Sequence, residues 1–200
     1  VGLGEEKRGT FADYNIEYRE TPLSAQGQPD YAAIGRDAAD PKIKAVFIQR
    51  SKGYAVRETL SCEEIEMIVK TVRAVNPSAA IIVDNCYGEF VQTREPCMAG
   101  ADLVAGSLIK NPGGGLAPTG GYIAGRRDLV EAAAYRLTVP GIGGECGTSL
   151  GQNRLLYQGF FMAPHIVAQA LKTAVFCARV MELLGYDVSP RYDAVRHDII

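Results

Sequence analysis

Two apolar runs with an amphipathic segment between them constrain the fold of this chain more than any other feature. The runs "IKAVFIQ" (43–49) and "AAIIVD" (79–84) are nearly continuous and rich in branched residues, which is typical of strands buried on both faces. The intervening "SCEEIEMIVKTVRAV" repeats its apolar residues at helical spacing, and its Ser61 and Glu64 have the spacing of a capping box. A strand, a helix and a strand within about forty residues predict a right-handed βαβ unit and a parallel sheet.

The remainder of the chain continues this alternation. Further strands are predicted over 13–20, 101–107 and 121–125. Helices are predicted over 29–40 with Asp30 as N-cap, through "EPCMAG" (95–100), over 127–136, and over 164–184 with Gly185 as C-cap. These elements predict an α/β fold, a three-layer α/β/α sandwich with a mainly parallel sheet.

Composition argues against several classes of partner. The formal net charge of −2 shows no basic excess, so a nucleic acid or an anionic membrane has no electrostatic support. No apolar run approaches the roughly 20 residues that span a bilayer, and no signal peptide is recognisable. The five cysteines are scattered without CxxC spacing, and only two histidines are present, so no metal site is predicted and a reducing, cytoplasmic setting is expected. Cys146 has no histidine partner in view and is interpreted as a packed thiol.

Chemically useful side chains follow two of the predicted strands. Asp84 ends one strand, and Ser107 and Lys110 lie at and just past the end of another, before a glycine-rich loop. Open parallel sheets bind ligands beyond the carboxyl ends of their strands, so these side chains are expected at one crevice. Pyridoxal phosphate needs such a pair, a lysine that forms a Schiff base and an acid at the pyridine nitrogen. Taken singly, each residue is weak evidence, because an aspartate at a strand end is more often a cap, a lone lysine is usually solvated and most glycine runs are loops.

The segments "VDNCYGEF", "GADLVAGSLIKNPGGG" and "APTGGYIAG" resemble the signature segments of fold-type-I pyridoxal-phosphate enzymes. More narrowly, they resemble the methionine gamma-lyase-like or aluminium-resistance group, relatives of the cystathionine lyases. The later "AAYRLTVPGIGGECGTSLGQNRLLYQGFFMAPH" is similar to that group as well, so the resemblance covers essentially the whole chain.

The resemblance assigns a role to each candidate site residue. It implies that Lys110 forms the internal aldimine and moves protons at the substrate carbons, while Asp84 holds the pyridine nitrogen. It also implies that Ser107 binds the cofactor phosphate, that Cys86 is the small residue against the ring, and that Tyr87 reaches the ring oxygen.

Some residues depart from the pattern of the wider family or are weaker candidates. Ile109 replaces the threonine of a Ser-x-Thr-Lys motif, so one phosphate donor is missing or supplied elsewhere. The arginines Arg50, Arg57 and Arg136 are candidates for substrate or phosphate contact, although a structural or surface role is expected for each.

The resemblance implies a pyridoxal-phosphate-dependent carbon–sulfur lyase that acts on an amino acid of the methionine or cystathionine type, in a homo-oligomer. The alternatives are another reaction of the same cofactor (aminotransferase, racemase or aldolase) and a non-catalytic scaffold linked to metal tolerance. The chain is expected to be a piece of a longer polypeptide. We expect residues 1–160 to form part of the fold-type-I large domain, 161–186 an interdomain helix and 187–200 the start of a small domain.

Overall fold

A mixed sheet of four strands forms the centre of the chain. The computed structural model describes residues 9–147 and 149–200. Its strands are β1 (Ala45–Gln49), β2 (Ala80–Asp84), β3 (Leu103–Ser107) and β4 (Gly121–Gly125). Its α-helices are α1 (Tyr31–Ala38), α2 (Cys62–Val75), α3 (Arg127–Leu137) and α4 (Asn153–Leu183). Short 3-10 helices cover Phe11–Tyr14, Asn111–Gly113 and Gly143–Glu145.

The strands lie in the order β1-β2-β3-β4. β2 pairs in parallel with both β1 and β3, whereas β4 pairs antiparallel with β3. The α/β class and the mainly parallel sheet are therefore confirmed. The three-layer arrangement remains a prediction.

Helix α2 covers one face of the sheet, as its periodicity predicts. Ser61 caps it by accepting a hydrogen bond from the amide of Glu64, and the Glu64 carboxylate accepts from the amide of Ser61, which completes the capping box. The apolar stripe of α2 is buried against β2 and β3 in one cluster that includes Ile65, Ile68, Val69, Val72, Ile81, Val83 and Val104. The opposite sheet face is more open, and Phe47 of β1 is 57% exposed there.

Two predicted elements are absent. Residues 13–20 do not form a strand: the 3-10 helix occupies 11–14, and the chain then runs without pairing. The stretch 95–100 is a series of turns instead of a helix, since the Glu95 side chain accepts from the amide of Phe90 and from Asn85 and so belongs to the preceding turn. Pro96 and Gly100 also disfavour a helix there.

Helix α4 is longer than its sequence predicts. It begins at Asn153, and Pro164, which resembles a helix start, lies inside it. The end is as predicted: Gly185 has φ +89°, and the amides of Gly185 and Tyr186 donate to the carbonyls of Glu182 and Met181 in a Schellman arrangement.

Among the described residues, α4 also has the length and hydropathy of a membrane-crossing helix. The sequence argument against a membrane span therefore does not hold for this segment. Length and composition alone are weak support for a span, because core helices share them, and the absence of a membrane partner stays a prediction.

Glycines let α4 approach the turn that follows Lys110. A Cβ on Gly159 would collide with the carbonyl of Gly113, and a Cβ on Gly114 would collide with the carbonyl of Gly159. Ala163, one turn further along α4, is fully buried. Gly113 and Gly114 of the glycine-rich loop thus contact α4 backbone to backbone. The loop has this packing role in addition to the flexibility that its composition indicates.

We expect Gly159→Ala to destabilise the protein by about 1–3 kcal/mol, because overpacking the contact with Gly113 outweighs the helix propensity that alanine adds. Urea denaturation followed by circular dichroism measures the change. Gly35→Ala in α1 is the control, since a Cβ there meets only the Thr71 methyl at 3.4 Å. An equal or greater stability of Gly159→Ala compared with that control would contradict the contact.

Candidate active site

The register of β2 and β3 brings the predicted site residues to one edge of the sheet. Asp84 ends β2 and pairs with Ala105, two residues before the end of β3 at Ser107. Because side chains alternate along a strand, Asp84, Ala105 and Ser107 share one face. The turn after β3 is closed by the amide of Lys110, which donates to the carbonyl of Ser107 at 3.3 Å. The lysine therefore stays close to the strand end.

The Lys110 ammonium lies on the ring of Tyr87. Its Nζ atom is 4.2 Å from the ring centroid, within the range of a cation–π contact. Partial burial lowers the pKa of Lys110, but the Cys86 thiol and the Tyr87 phenol outweigh it, and the pKa is raised from its ordinary value. Lys110 is consequently protonated at neutral pH in this arrangement.

An open cleft lies beside this lysine. Its volume is about 450 Å³. The turns after β2 and β3, helix α4 and the last residues of the chain form its walls, which are lined by Tyr87, Ile109, Lys110, Asn111, Ile166, Val167, Ala170 and Ile199. The cleft is thus mainly apolar with one cation, a combination suited to a small ligand that carries a reactive group.

Cys86 lies between the aspartate and the lysine. Its amide donates to Asp84 Oδ1 at 3.0 Å, so the turn begins by folding back on that carboxylate. Burial raises the pKa of the Cys86 thiol, and the adjacent Asp84 raises it further. Cys86 is therefore a small neutral side chain at neutral pH and is poorly suited to be a nucleophile.

The Arg50 guanidinium stabilises the turn after β2 by hydrogen bonds. The side chain of Arg50 is fully buried. Nη1 donates to Asn85 Oδ1 at 2.7 Å and to the carbonyl of Gly88 at 3.1 Å, and Nη2 donates to Gln92 Oε1 at 2.8 Å. The turn contains two non-glycine residues with positive φ, Tyr87 at 72° and Phe90 at 63°. These conformations are costly and persist only when the surroundings fix them.

Two more donors fix the same turn from other parts of the chain. Asn111 Nδ2 donates to the carbonyls of Tyr87 and Glu89, each at 3.0 Å. The amide of Ile199 also donates to the carbonyl of Tyr87, at 3.1 Å. The backbone of the tyrosine that contacts Lys110 is thus held both by the residue after that lysine and by the end of the chain.

Residues near the chain end pack onto the segment after β1. Asp198 is 2% exposed, and its Oδ2 accepts from Ser51 at 2.9 Å and from Thr59 at 2.5 Å. Ile199, next to Asp198, lines the cleft. The assignment of residues 187–200 to a small domain stays a prediction.

The candidate arginines have structural contacts. Arg50 is enclosed as described, and Arg57 donates to the carbonyls of Gln49, Ser51 and Glu58. Arg136 donates to the hydroxyl of Tyr14 at 2.6 Å. These contacts agree with the structural or surface role expected from the sequence.

Sequence reasoning missed Glu89, Asn111 and Tyr122. The Tyr122 hydroxyl donates to Glu89 Oε1 at 2.8 Å, and the main-chain carbonyl of Glu89 accepts from Asn111 Nδ2 at 3.0 Å. The position of Asn111 directly after the lysine was the one available signal, and no sequence pattern indicates which partners its amide has.

The fold and the strand-end residues define an α/β protein with a lysine-containing cleft at the carboxyl edge of a parallel strand pair. The chain belongs to the methionine gamma-lyase family, whose sequence pattern matches residues 1–200. This agrees with the resemblance in its signature segments.

Several relatives are close in sequence or structure. An uncharacterised protein of Bacillus subtilis, YnbB, is 51% identical over the whole chain, which covers 48% of that relative. A 33.9 kDa protein of Lactobacillus delbrueckii is 43% identical, and the chain covers 65% of it. A solved structure from Clostridium novyi, described as a carbon-sulfur lyase involved in aluminum resistance, is 49% identical with a TM-score of 0.95, and the chain covers 47% of it. The chain thus spans about half the length of several of its close relatives.

A methionine gamma lyase from Micromonospora echinospora, CalE6, is more distant. It is 21% identical with a TM-score of 0.61, and the match covers 84% of this chain and 43% of that one. That similarity concerns the fold.

We expect Arg50→Met to destabilise the protein by about 3–5 kcal/mol, because its removal leaves buried acceptors without donors. Chemical denaturation measures the loss, with the exposed Arg127→Met as control. A loss no larger than that of the control would show that the turn does not depend on the guanidinium.

Proposed function

We propose that this chain carries the pyridoxal-phosphate site of a carbon–sulfur lyase that acts on a sulfur-containing amino acid of the methionine or cystathionine type. The observation that carries the proposal is the register of β2 and β3, which brings Asp84 and Lys110 to the same sheet edge beside a cleft. The similarity to a carbon-sulfur lyase from Clostridium novyi supports the reaction class.

The residues present fit this cofactor. It needs an amine for covalent attachment, a carboxylate for its ring nitrogen and hydroxyl or amide donors for its phosphate. Lys110 supplies the amine, Asp84 the carboxylate and Ser107 a hydroxyl on the same sheet face as Asp84. The neutral thiol of Cys86 lies between the first two and adds no competing charge. Bound there, pyridoxal phosphate would supply an electron sink for negative charge at the substrate α-carbon.

Each side chain then has a specific task. The Asp84 carboxylate would hold a proton on the ring nitrogen, and Ser107 would orient the phosphate. Lys110 Nζ would attach the cofactor and, when its amine is free, take the proton from the substrate α-carbon. Because Cys86 and Tyr87 favour the ammonium form, Lys110 must lose a proton before either task.

We further propose that the protein acts in the cytoplasm as a homo-oligomer. Phe160, Phe161 and Phe176 on α4 are 56%, 83% and 68% exposed. Such a series of exposed aromatic side chains supports burial of this helix against additional protein.

Lys110→Ala tests the attachment. After incubation with pyridoxal phosphate and reduction with borohydride, we expect peptide mass spectrometry to find a pyridoxyl group on Lys110 of the unsubstituted protein. The variant should remain colourless and lose elimination activity, and its cofactor-free stability should be nearly unchanged. Lys172→Ala, exposed on α4, is the control. An unmodified, colourless parent protein would favour the non-catalytic scaffold, and normal turnover by Lys110→Ala would overturn the assignment.

Asp84→Asn tests the electron sink separately. The amide keeps the shape of the side chain but removes the negative charge, so we expect cofactor binding to persist while elimination slows by about 100-fold or more. Absorbance of the bound cofactor and release of thiol, measured side by side, separate the two effects. Unimpaired elimination in this variant, matched to the exposed Asp187→Asn, would remove Asp84 from the reaction.

A further inference from the structure

Glu89 is a buried acid beside the site that no role above uses. It lies in the turn after β2, and its side chain is 4% exposed. Oε1 accepts from the Tyr122 hydroxyl at 2.8 Å, whereas Oε2 is buried and has no partner among the described residues. A buried oxygen without a donor is costly in free energy, so this carboxyl needs an explanation.

Asn111 also has a buried side-chain oxygen that lacks a hydrogen-bond donor in residues 9–147 and 149–200. It is 5% exposed, and although its Nδ2 is fully used, its Oδ1 is buried and has no donor within the described part of the chain. The two residues that carry these unpaired acceptors are already hydrogen-bonded to each other through other atoms, since Asn111 Nδ2 donates to the main-chain carbonyl of Glu89 at 3.0 Å. A proton on Glu89 would convert one of these acceptors into a donor, which is the group that the other acceptor lacks in the described structure.

We propose that Glu89 is a positioning residue that works in its neutral form, with its carboxyl proton donated to the side-chain oxygen of Asn111. This inference rests on the proposed function, because the linked turns carry Lys110 on one side and Asp84 on the other. Glu89 would act through Asn111, which follows Lys110 directly, and would fix the spacing between the amine and the carboxylate.

Burial favours the neutral form of this acid, whereas its charged neighbours act in both directions. The titratable groups that face Glu89 are Tyr122 from β4, Arg50 from the end of β1, and Glu95 and Cys86 from its own turn. Burial raises the pKa of Glu89 to about 7, and Glu95 raises it while Arg50 lowers it. Lys110, on the turn that carries Asn111, is directed at Cys86 and Tyr87 instead.

The pH dependence has a definite sign. The folded-state pKa of Glu89 is about 7 against an ordinary value of 4.5. Its protonation therefore stabilises the fold fully below pH 4.5, and this contribution is lost as the pH rises to about 7. Cofactor affinity should fall between about pH 6 and about pH 8, because ionisation of Glu89 around its pKa of about 7 removes the donor to Asn111.

The experiment compares the full chain with Glu89→Gln, which retains a donor without charge, and Glu89→Leu, which has none. The exposed Glu131→Gln on α3 is the matched control. Absorbance titration gives the dissociation constant of pyridoxal phosphate from about pH 6 to about pH 8. Loss of the Lys110 proton affects all variants alike, so the readout is the ratio of the parent dissociation constant to that of Glu89→Gln. We expect this ratio to rise about tenfold over the range, the control to follow the parent, and Glu89→Leu to bind weakly throughout.

A parallel measurement separates this inference from the proposed function. Thermal unfolding without cofactor should show a parent stability that falls between pH 4.5 and about 7, with a shallower slope in Glu89→Gln. If no variant binds pyridoxal phosphate, the proposed function fails and the unfolding slopes decide the protonation of Glu89. Identical slopes in parent and Glu89→Gln, or a Glu89→Gln that binds as weakly as Glu89→Leu, would overturn the inference.

Discussion

The buried guanidinium of Arg50 is the interaction on which the site depends. It lies beneath the turn after β2 and donates to a main-chain carbonyl and to two side-chain amides of that turn. The turn has two non-glycine residues with positive φ, and a chain would not hold such a conformation without strong restraints. Since Tyr87 lies within this turn, the buried cation fixes the backbone that carries its ring, whereas Asp84, just before the turn, is placed by the strand register.

A second layer of restraints joins this turn to the one after β3. Asn111 provides it with one amide group that donates to two carbonyls. The chain end adds the Ile199 amide. Two residues distant from Tyr87 in sequence therefore donate to its main-chain carbonyl, one from the Asn111 side chain and one from the Ile199 amide, and together they fix the backbone whose ring contacts the Lys110 ammonium.

The sequence predicts the frame of this site well. The apolar runs identify β1 and β2, the capping box identifies the start of α2, and the rule for parallel sheets places Asp84 and Lys110 at one edge. Each of these signals is local, or depends only on the direction of neighbouring strands.

What the sequence could not predict depends on tertiary contacts. The weak alternation over 13–20 has no partner strand in the described structure, so it remains irregular. Pro164 resembles a helix start because proline is favoured there, yet here the helix continues through it. The burial of Arg50 and the bonds of Asn111 leave no periodic pattern, because each comes from groups far apart in the chain.

The glycine contact between α4 and the turn after β3 has a mechanical consequence. Gly113 and Gly159 meet through their backbones, so no side-chain rotation is available there to absorb a displacement. A shift of α4 along its axis would therefore move the turn itself, and Lys110 is only three residues earlier in the chain. The long helix and the reactive amine are therefore mechanically coupled, and a force on the helix surface would be transmitted to the cleft.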